Sequence, residues 1–273
     1  MDPAALIEPV GELVRKVAEA EVVSRFGRLV AAEIDRKAGD EVVTAADTAA
    51  ERALFDGLAA LVPEALLVGE EAVAADPELL ARARSAEVAF VVDPVDGTAN
   101  FVAGSPDFAV MVACIVAGET VAAWIHQPVH DRLYTASVGG GAQVDGQPLR
   151  RVPAAPEVAR LRGVLRTWAL GPERGPEVQA RGAAFAVTGD GRLAAGIEYP
   201  RVATGDLDFV FWWRNRVWDH APGALLLTEA GGFAGHLDGS PYRPWSDREG
   251  LIVAADPATH ERVRAILAPG GHP

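Results

Sequence analysis

Apolar residues recur at helical spacing from the start of the chain. Leu6, Val10, Leu13, Val14 and Val17 fall on one face of a 3.6-residue period and predict an amphipathic helix. A second stripe, Ala50, Leu54, Leu58 and Leu61, follows Thr44-Ala-Ala-Asp47, which reads as a helix-start signal. After Pro63 a short apolar run ends in Gly69-Glu70-Glu71. Residues 88–92, VAFVV, are continuously apolar, as in a strand buried on both faces, and the run halts at Asp93-Pro94. From Phe108 to Tyr134 the pattern turns to β: MVACIV, a turn at Gly118-Glu119, VAAWI, and a second turn around Pro128 to Asp131. Gly139, Gly140 and Gly141 make a further loop. Residues 153–182, rich in Pro, Gly, Glu and Arg, read as a variable connection and not as a core element. Beyond them come a helical stretch near 196–205, the strand-like LDFVFWW, and a helix from about Ala221 to Ala230 stopped by Gly231-Gly232. LIVAA at 251–255 and a helix over 257–267 close an α/β (α+β) pattern.

Composition narrows the function classes. With 49% apolar and 23% charged residues the 273-residue chain has enough apolar surface for a sizeable core, which excludes intrinsic disorder. A net charge of −13 and a pI of about 4.9 argue against unaided binding to nucleic acid or an anionic membrane. Cys114 is the single cysteine, so neither an internal disulfide nor a cysteine-based zinc knuckle is available, which fits a reducing cytosol. Glu8 and Glu12 interrupt the apolar pattern at the start, unlike a signal peptide, and no stretch reaches the ~18–20 apolar residues that span a bilayer. The expectation is a soluble, cytoplasmic protein.

Acidic residues stand at the ends of predicted elements. Asp93 and Asp96 sit in DPVDGT directly after the buried strand, Glu70 and Glu71 after another apolar run, and Asp47 and Asp219 just ahead of helices. Singly, Asp47 and Asp219 read as helix caps, Asp93 and Asp96 as turn formers, and Glu70-Glu71 as a solvated loop. Together they suggest otherwise, because strand-end loops of α/β folds converge on one crevice. Carboxylates meeting there repel unless protonated or neutralised by a cation. Oxygen donors without thiolates or paired histidines suit Mg²⁺, Mn²⁺ or Ca²⁺ over zinc. Gly97-Thr98 opens the next segment, where a small residue lets backbone N–H groups approach a phosphate.

DPVDGTANF (93–101), GEE (69–71) and WDHAPGALLLTEAGG (218–232), with VVTAAD (42–47), resemble the signatures of the inositol monophosphatase family, magnesium-dependent, lithium-sensitive phosphatases related to fructose-1,6-bisphosphatase. The similarity covers nearly the whole chain apart from roughly 153–190. It implies a layered αβαβα sandwich forming a single phosphatase domain. An N-terminal α+β half (about 1–150) would carry most metal ligands, and a C-terminal α/β half (about 151–273) would supply Asp219 and the leaving-group pocket. The resemblance further implies that Glu70, Asp93 and the Val95 carbonyl hold one Mg²⁺, that Asp93, Asp96 and Asp219 hold a second, and that a third, weaker ion leans on Glu70. Gly97 and Thr98 would bind phosphate, Thr98 would pair with Asp47, and Glu70 with the Asp47–Thr98 pair would accept the proton of an attacking water. Glu71 would lie next to the first metal. Li⁺ as inhibitor and a homodimer belong to the same implication.

The leaving-group side departs from the family pattern. Trp212 stands where inositol-type members carry a glutamate that binds a ring hydroxyl, and losing a buried acceptor weakens preference for a polyol. Trp212 also reads as a packed core aromatic, and Glu198 as either a replacement acceptor or a helix-surface residue. Arg214, Arg216 and Arg192 read as solvated surface residues or as readers of a second phosphate. The substrate expected is a small phosphate monoester such as an inositol, sugar or polyol phosphate. A 3′-phosphoadenosine nucleotide or sugar bisphosphate is the alternative, as is a scaffold that retains the fold. No GxGxxG follows a strand, and neither lysine lies in a GxxxxGK[ST] loop. His126-Gln-Pro-Val-His130 lacks the glutamate of a zinc-protease helix, and Pro128 would break such a helix. His220 reads as a neighbour of Asp219, and Cys114 as core filling.

Overall fold

A computed structural model describes residues 2–30, 33–36, 42–189 and 194–268; Arg192 lies outside them. Helix α1 (Ile7–Val17) buries Val10, Val14 and Val17, as its period requires. Strands β1 (Ile34–Arg36) and β2 (Val42–Thr44) form a two-stranded ribbon leading into helix α2 (Ala45–Leu61). Strand β3 (Leu66–Gly69) and the short helices α3 (Glu70–Ala75) and α4 (Leu79–Arg84) follow. Strand β4 (Val88–Asp96) and helix α5 (Thr98–Val102) come next, then β5 (Ala109–Val116), β6 (Glu119–Gln127), β7 (Arg132–Ser137), β8 (Gly141–Val144) and β9 (Gln147–Leu149). Strands β3 to β9 lie in chain order in one seven-stranded sheet, antiparallel except for the parallel β3–β4 pair.

The rest of the chain contributes β10 (Arg162–Arg166), α6 (Gly171–Arg181), β11 (Ala186–Gly189), α7 (Ala195–Thr204), β12 (Phe209–Trp212), α8 (Val217–Ala230), β13 (Phe233–His236), β14 (Leu251–Ala254) and α9 (Pro257–Leu267). Its five strands form a second sheet in the order β11-β10-β12-β14-β13. Three helical layers enclose the two sheets. α1 and α2 cover the outer face of the large sheet, where Val14, Leu54, Leu58, Phe90 and Trp124 share a core. α7 and α8 lie between the sheets, packing Tyr199, Val202 and Leu226 against Met111, Ile125, Val210 and Val253. α9 and α6 back the small sheet around Phe209, Ile252 and Val263. The αβαβα sandwich is observed.

Three sequence expectations are corrected. Residues 153–182 are not a mere connection: β10 runs between β11 and β12, parallel to both, and buries Val164 and Leu165. Its five residues begin with Arg162 and end with Arg166, too short a run and too charged at the ends to show as a strand. Helix α8 begins at Val217, so Asp219 lies inside its first turn and makes no side-chain cap. Between two sheets this helix buries residues on nearly every side, which removes the amphipathic period that would have marked its start. The apolar pattern also placed the end of β4 early, since the strand continues to Asp96 with its register on β5 slipping between Asp93 and Asp96. Pro94 has no N–H to give to a ladder there.

Candidate active site

The slip at the end of β4 re-aims two carboxylates. Asp93 is buried, and its Oδ1 accepts the Val95 N–H at 3.1 Å. Asp96 accepts the Gly196 N–H at 2.5 Å, which ties it to the first turn of α7. Gly97 then turns the chain at φ +89, and a Cβ there would stand 2.8 Å from that of Ala194, so no other residue fits this corner. The N–H groups that open α5 at Gly97 and Thr98 fall where an intrahelical ladder has no acceptors to offer.

Asp47 answers both of its readings. At the third position of α2 it closes a capping box: its Oδ2 accepts the Thr44 N–H at 2.8 Å and the Thr44 hydroxyl at 2.6 Å. Its other oxygen lies 3.1 Å from the Thr98 hydroxyl, which also reaches the Val95 carbonyl at 2.9 Å. Burial pushes the Asp47 carboxyl up to about 6 against the Thr44 hydrogen bonds, with the charge of Glu71 adding to the rise.

Glu70 and Glu71 open α3, one turn of chain that needs an anchor. Glu51, buried on α2, supplies it by accepting the Glu71 and Ala72 N–H groups at 2.9 Å each. A Cβ on Gly69 would fall 2.1 Å from the Glu51 carboxylate, so that glycine is the gap through which the side chain passes. Sequence reasoning missed Glu51. The available signal was a glutamate one turn after Asp47 on the face that carries Ala50, Leu54 and Leu58.

The acids share one electrostatic neighbourhood. Burial, then Glu70, Asp96, Asp219 and Asp47 in turn, hold the Asp93 carboxyl well above the usual carboxylate range. Asp219 is pushed up to about 8 by burial and by Asp96 and Glu70, against the pull of Arg216 and Arg166. Asp96 is pushed up to about 6 by burial, with the Gly196 N–H and Arg166 opposing. Among the described residues no three acidic, histidine or cysteine side chains already stand as a closed cage for an ion. Like charges in a low-dielectric pocket keep one another apart. The donor chemistry, carboxylate and carbonyl oxygen only, fits a hard divalent cation, which would relieve that repulsion.

On the leaving-group side, Trp212 is both packed and exposed to a cleft. It stacks on Tyr199 with centroids 4.9 Å apart and lines the cleft beside Asp219. His220 braces this stack. Its Nε2 faces the Arg214 carbonyl at 3.1 Å and must carry the proton, so its Nδ1 accepts from the Tyr199 hydroxyl at 3.1 Å. Burial pushes this imidazole down to about 3, and with both nitrogens engaged it acts as a neighbour of Asp219. Glu198 is 0% exposed, so it is no helix-surface residue; it faces Arg166 at 3.7 Å and does not line the cleft. Arg214 and Arg216 line it as well, Arg214 exposed and Arg216 half-buried, so they are surface residues at the mouth of the cleft. Arg214 lies over the Trp168 ring at 5.2 Å, and Arg216 stands 3.6 Å from Glu70. Cys114 is wholly buried, and burial pushes its thiol up to about 12, so it fills the core. His126 and His130 lie on a strand and its turn, not on a helix.

Comparison with known proteins points to one family. A profile described as the inositol monophosphatase family matches residues 4–269. An inositol-1-monophosphatase of Mesorhizobium japonicum is 33% identical over 249 residues, 89% of this chain and 90% of that protein. The Nus factor SuhB of Escherichia coli K12 is 31% identical over 240 residues, 87% of this chain and 85% of that protein. The solved structure of a Thermotoga maritima IMPase superposes with a TM-score of 0.81 at 23% identity, covering 98% of both chains.

Proposed function

The chain belongs to the inositol monophosphatase family and is a phosphoric monoester hydrolase; on that premise we propose that it hydrolyses a small phosphate monoester by direct attack of water in a divalent-metal-dependent reaction. The observation that carries this reading is one shared electrostatic field, in which Glu70, Asp96 and Asp219 raise the Asp93 carboxyl and Asp96 and Glu70 raise that of Asp219, next to the Gly97-Thr98 start of α5.

Glu70, Asp93 and the Val95 carbonyl would hold one Mg²⁺, and Asp93, Asp96 and Asp219 a second, with room for a weaker third at Glu70; Mn²⁺ suits the same oxygens. When bound, such ions acidify a water and neutralise the departing alkoxide. The Gly97 and Thr98 N–H groups orient the phosphate. The Thr98 hydroxyl, held between Asp47 and the Val95 carbonyl, passes a proton towards Asp47, whose raised pKa of about 6 suits it to take one near neutral pH. Glu70 shares that role. Asp219 orients the group that protonates the leaving oxygen. The seven-stranded sheet thus presents most of the ligands, while the half of the chain from about 151 contributes Asp219 and the leaving-group pocket.

We place the enzyme in the cytoplasm as a homodimer inhibited by Li⁺. A free, inert Cys114 accords with a reducing compartment, and among the described residues no helix is long and apolar enough to cross a membrane. The Escherichia coli relative carries the name of a Nus factor. The complete set of site acids in this chain supports hydrolysis over a purely scaffolding role. The test is phosphate release from a panel of inositol, sugar, polyol and nucleotide monoesters, with Mg²⁺ and with chelator, on wild type and Asp219→Asn. Release that needs Mg²⁺ and disappears in the variant is expected; metal-independent release, or none from any ester, would refute the reading.

A further inference from the structure

The cleft beside Asp219 is more cationic than a neutral polyol requires. Arg166, Arg214 and Arg216 line it together with Trp212. Arg166 ends β10, opposite Trp212 in the β10–β12 register. Its side chain is 18% exposed, and its Nη1 stands 3.7 Å from Glu198, beyond hydrogen-bonding distance. The buried Arg166 Nε has no acceptor among the described residues, and neither has the Nε1 of Trp212, a residue only 5% exposed. A buried donor left unpaired is costly. Arg166 and Trp212 both line the cleft, and an acceptor carried by a ligand would satisfy the two donors once the side chains turn towards it. The guanidinium of Arg166 also acts on Asp96 and Asp219, so cations bound by those acids would leave it facing positive charge on one side.

We propose that this cleft is an anion subsite for the leaving alcohol, so that the preferred substrate is a phosphate monoester whose alcohol carries a second anionic group, read by Arg166 and the Trp212 indole N–H. The proposal rests on the phosphatase reading and narrows its substrate class. The cleft, about 90 Å³, has room for a carboxylate or phosphate. Arg214 and Arg216, engaged with Trp168 and Glu70, add charge at its rim. Glu198 is not part of the cleft lining and stands as a long ion-pair partner behind the Arg166 guanidinium.

Three matched esters test it: glycerol 1-phosphate, 3-phosphoglycerate and glycerol 1,3-bisphosphate. In Mg²⁺ the wild type is expected to show a kcat/KM at least about tenfold higher for one or both anionic esters than for glycerol 1-phosphate. The two anionic arms tell a carboxylate reader from a phosphate reader. Arg166→Met should bring the ratio towards one, and Arg166→Lys should keep part of it, because the charge remains while the planar donor fork is lost. Binding is read separately from tryptophan emission in Ca²⁺, since Trp168, Trp212 and Trp213 surround the cleft. Equal kcat/KM for the three esters, or an equal fall for all of them in Arg166→Met, overturns the subsite and leaves the phosphatase standing. Tighter binding of the anionic esters with no phosphate released from any supports the subsite and removes the phosphatase reading. Neither binding nor release removes both.

Discussion

Asp93 illustrates how one side chain is asked to do two opposed things. It is buried among four other carboxylates, which costs the apoprotein stability, and in the proposed mechanism it would help hold both cations. Asp93→Asn should therefore abolish metal-dependent phosphate release by more than the roughly 10–100-fold typical of an outer ligand partner, while the metal-free melting temperature holds or rises. Phosphate release and thermal melting on the same preparation check both halves, and wild-type-like turnover would reject the role as a cation ligand. Glu51 acts one step further out, through the backbone of Glu71 and Ala72. Glu51→Gln weakens that anchor without changing shape. It should raise the Mg²⁺ concentration for half-maximal activity about tenfold, with a smaller effect on kcat at saturating metal. Asp93, Asp96, Asp219 and Glu70 carry motif signatures in the residue order. Glu51 carries none, because a buried glutamate on an apolar helix face has no local mark distinguishing it from a solvated one.

At the level of elements, the junctions matter more than the strands they join. Asp208, just ahead of β12, receives Arg151 at 2.8 Å and the Arg162 N–H at 2.8 Å, and this buried pair stitches the end of the large sheet to β10 and β12 of the small one. Asp208→Ala leaves the Arg151 guanidinium buried without its anion and should cost about 3–5 kcal/mol, read as a lower urea midpoint. β10 itself went unread. Its burial comes from β11 and β12 beside it, and five residues bounded by arginines hold too few apolar positions to declare a strand. The β pattern from Phe108 to Tyr134 matches β5, β6 and the start of β7, because the apolar runs there are long and the turns carry Gly, Pro and Asp.

For the molecule as a whole, the acid cluster makes stability depend on pH with an unusual sign. Asp219 rises from 3.8 to about 8 on folding, so between those values the native state binds more protons than the unfolded chain, and stability falls as pH rises. Asp96, raised to about 6, acts in the same direction over the lower part of that window. A bound divalent cation replaces the protons. Melting curves without metal should drop in midpoint from pH 5 to pH 8, and Mg²⁺ should raise the midpoint more at pH 8 than at pH 5. A Mg²⁺ shift that is flat with pH would dissociate these acids from metal binding.

The chain order alone settled what depends on neighbours along the backbone: the helix start at Thr44, the long strands, the Gly97 corner and the identity of the acids, because caps, turns and periodicity are local physics. Tertiary packing decided which side chains meet. It put Arg166 beside Trp212 across two strands that lie 46 residues apart in sequence, tied Glu51 to α3, enclosed α8 between two sheets, and gathered carboxylates whose mutual field exists only once they share a low-dielectric pocket. Local propensity carries no information about those long-range juxtapositions, and the charge balance of the leaving-group cleft follows from them.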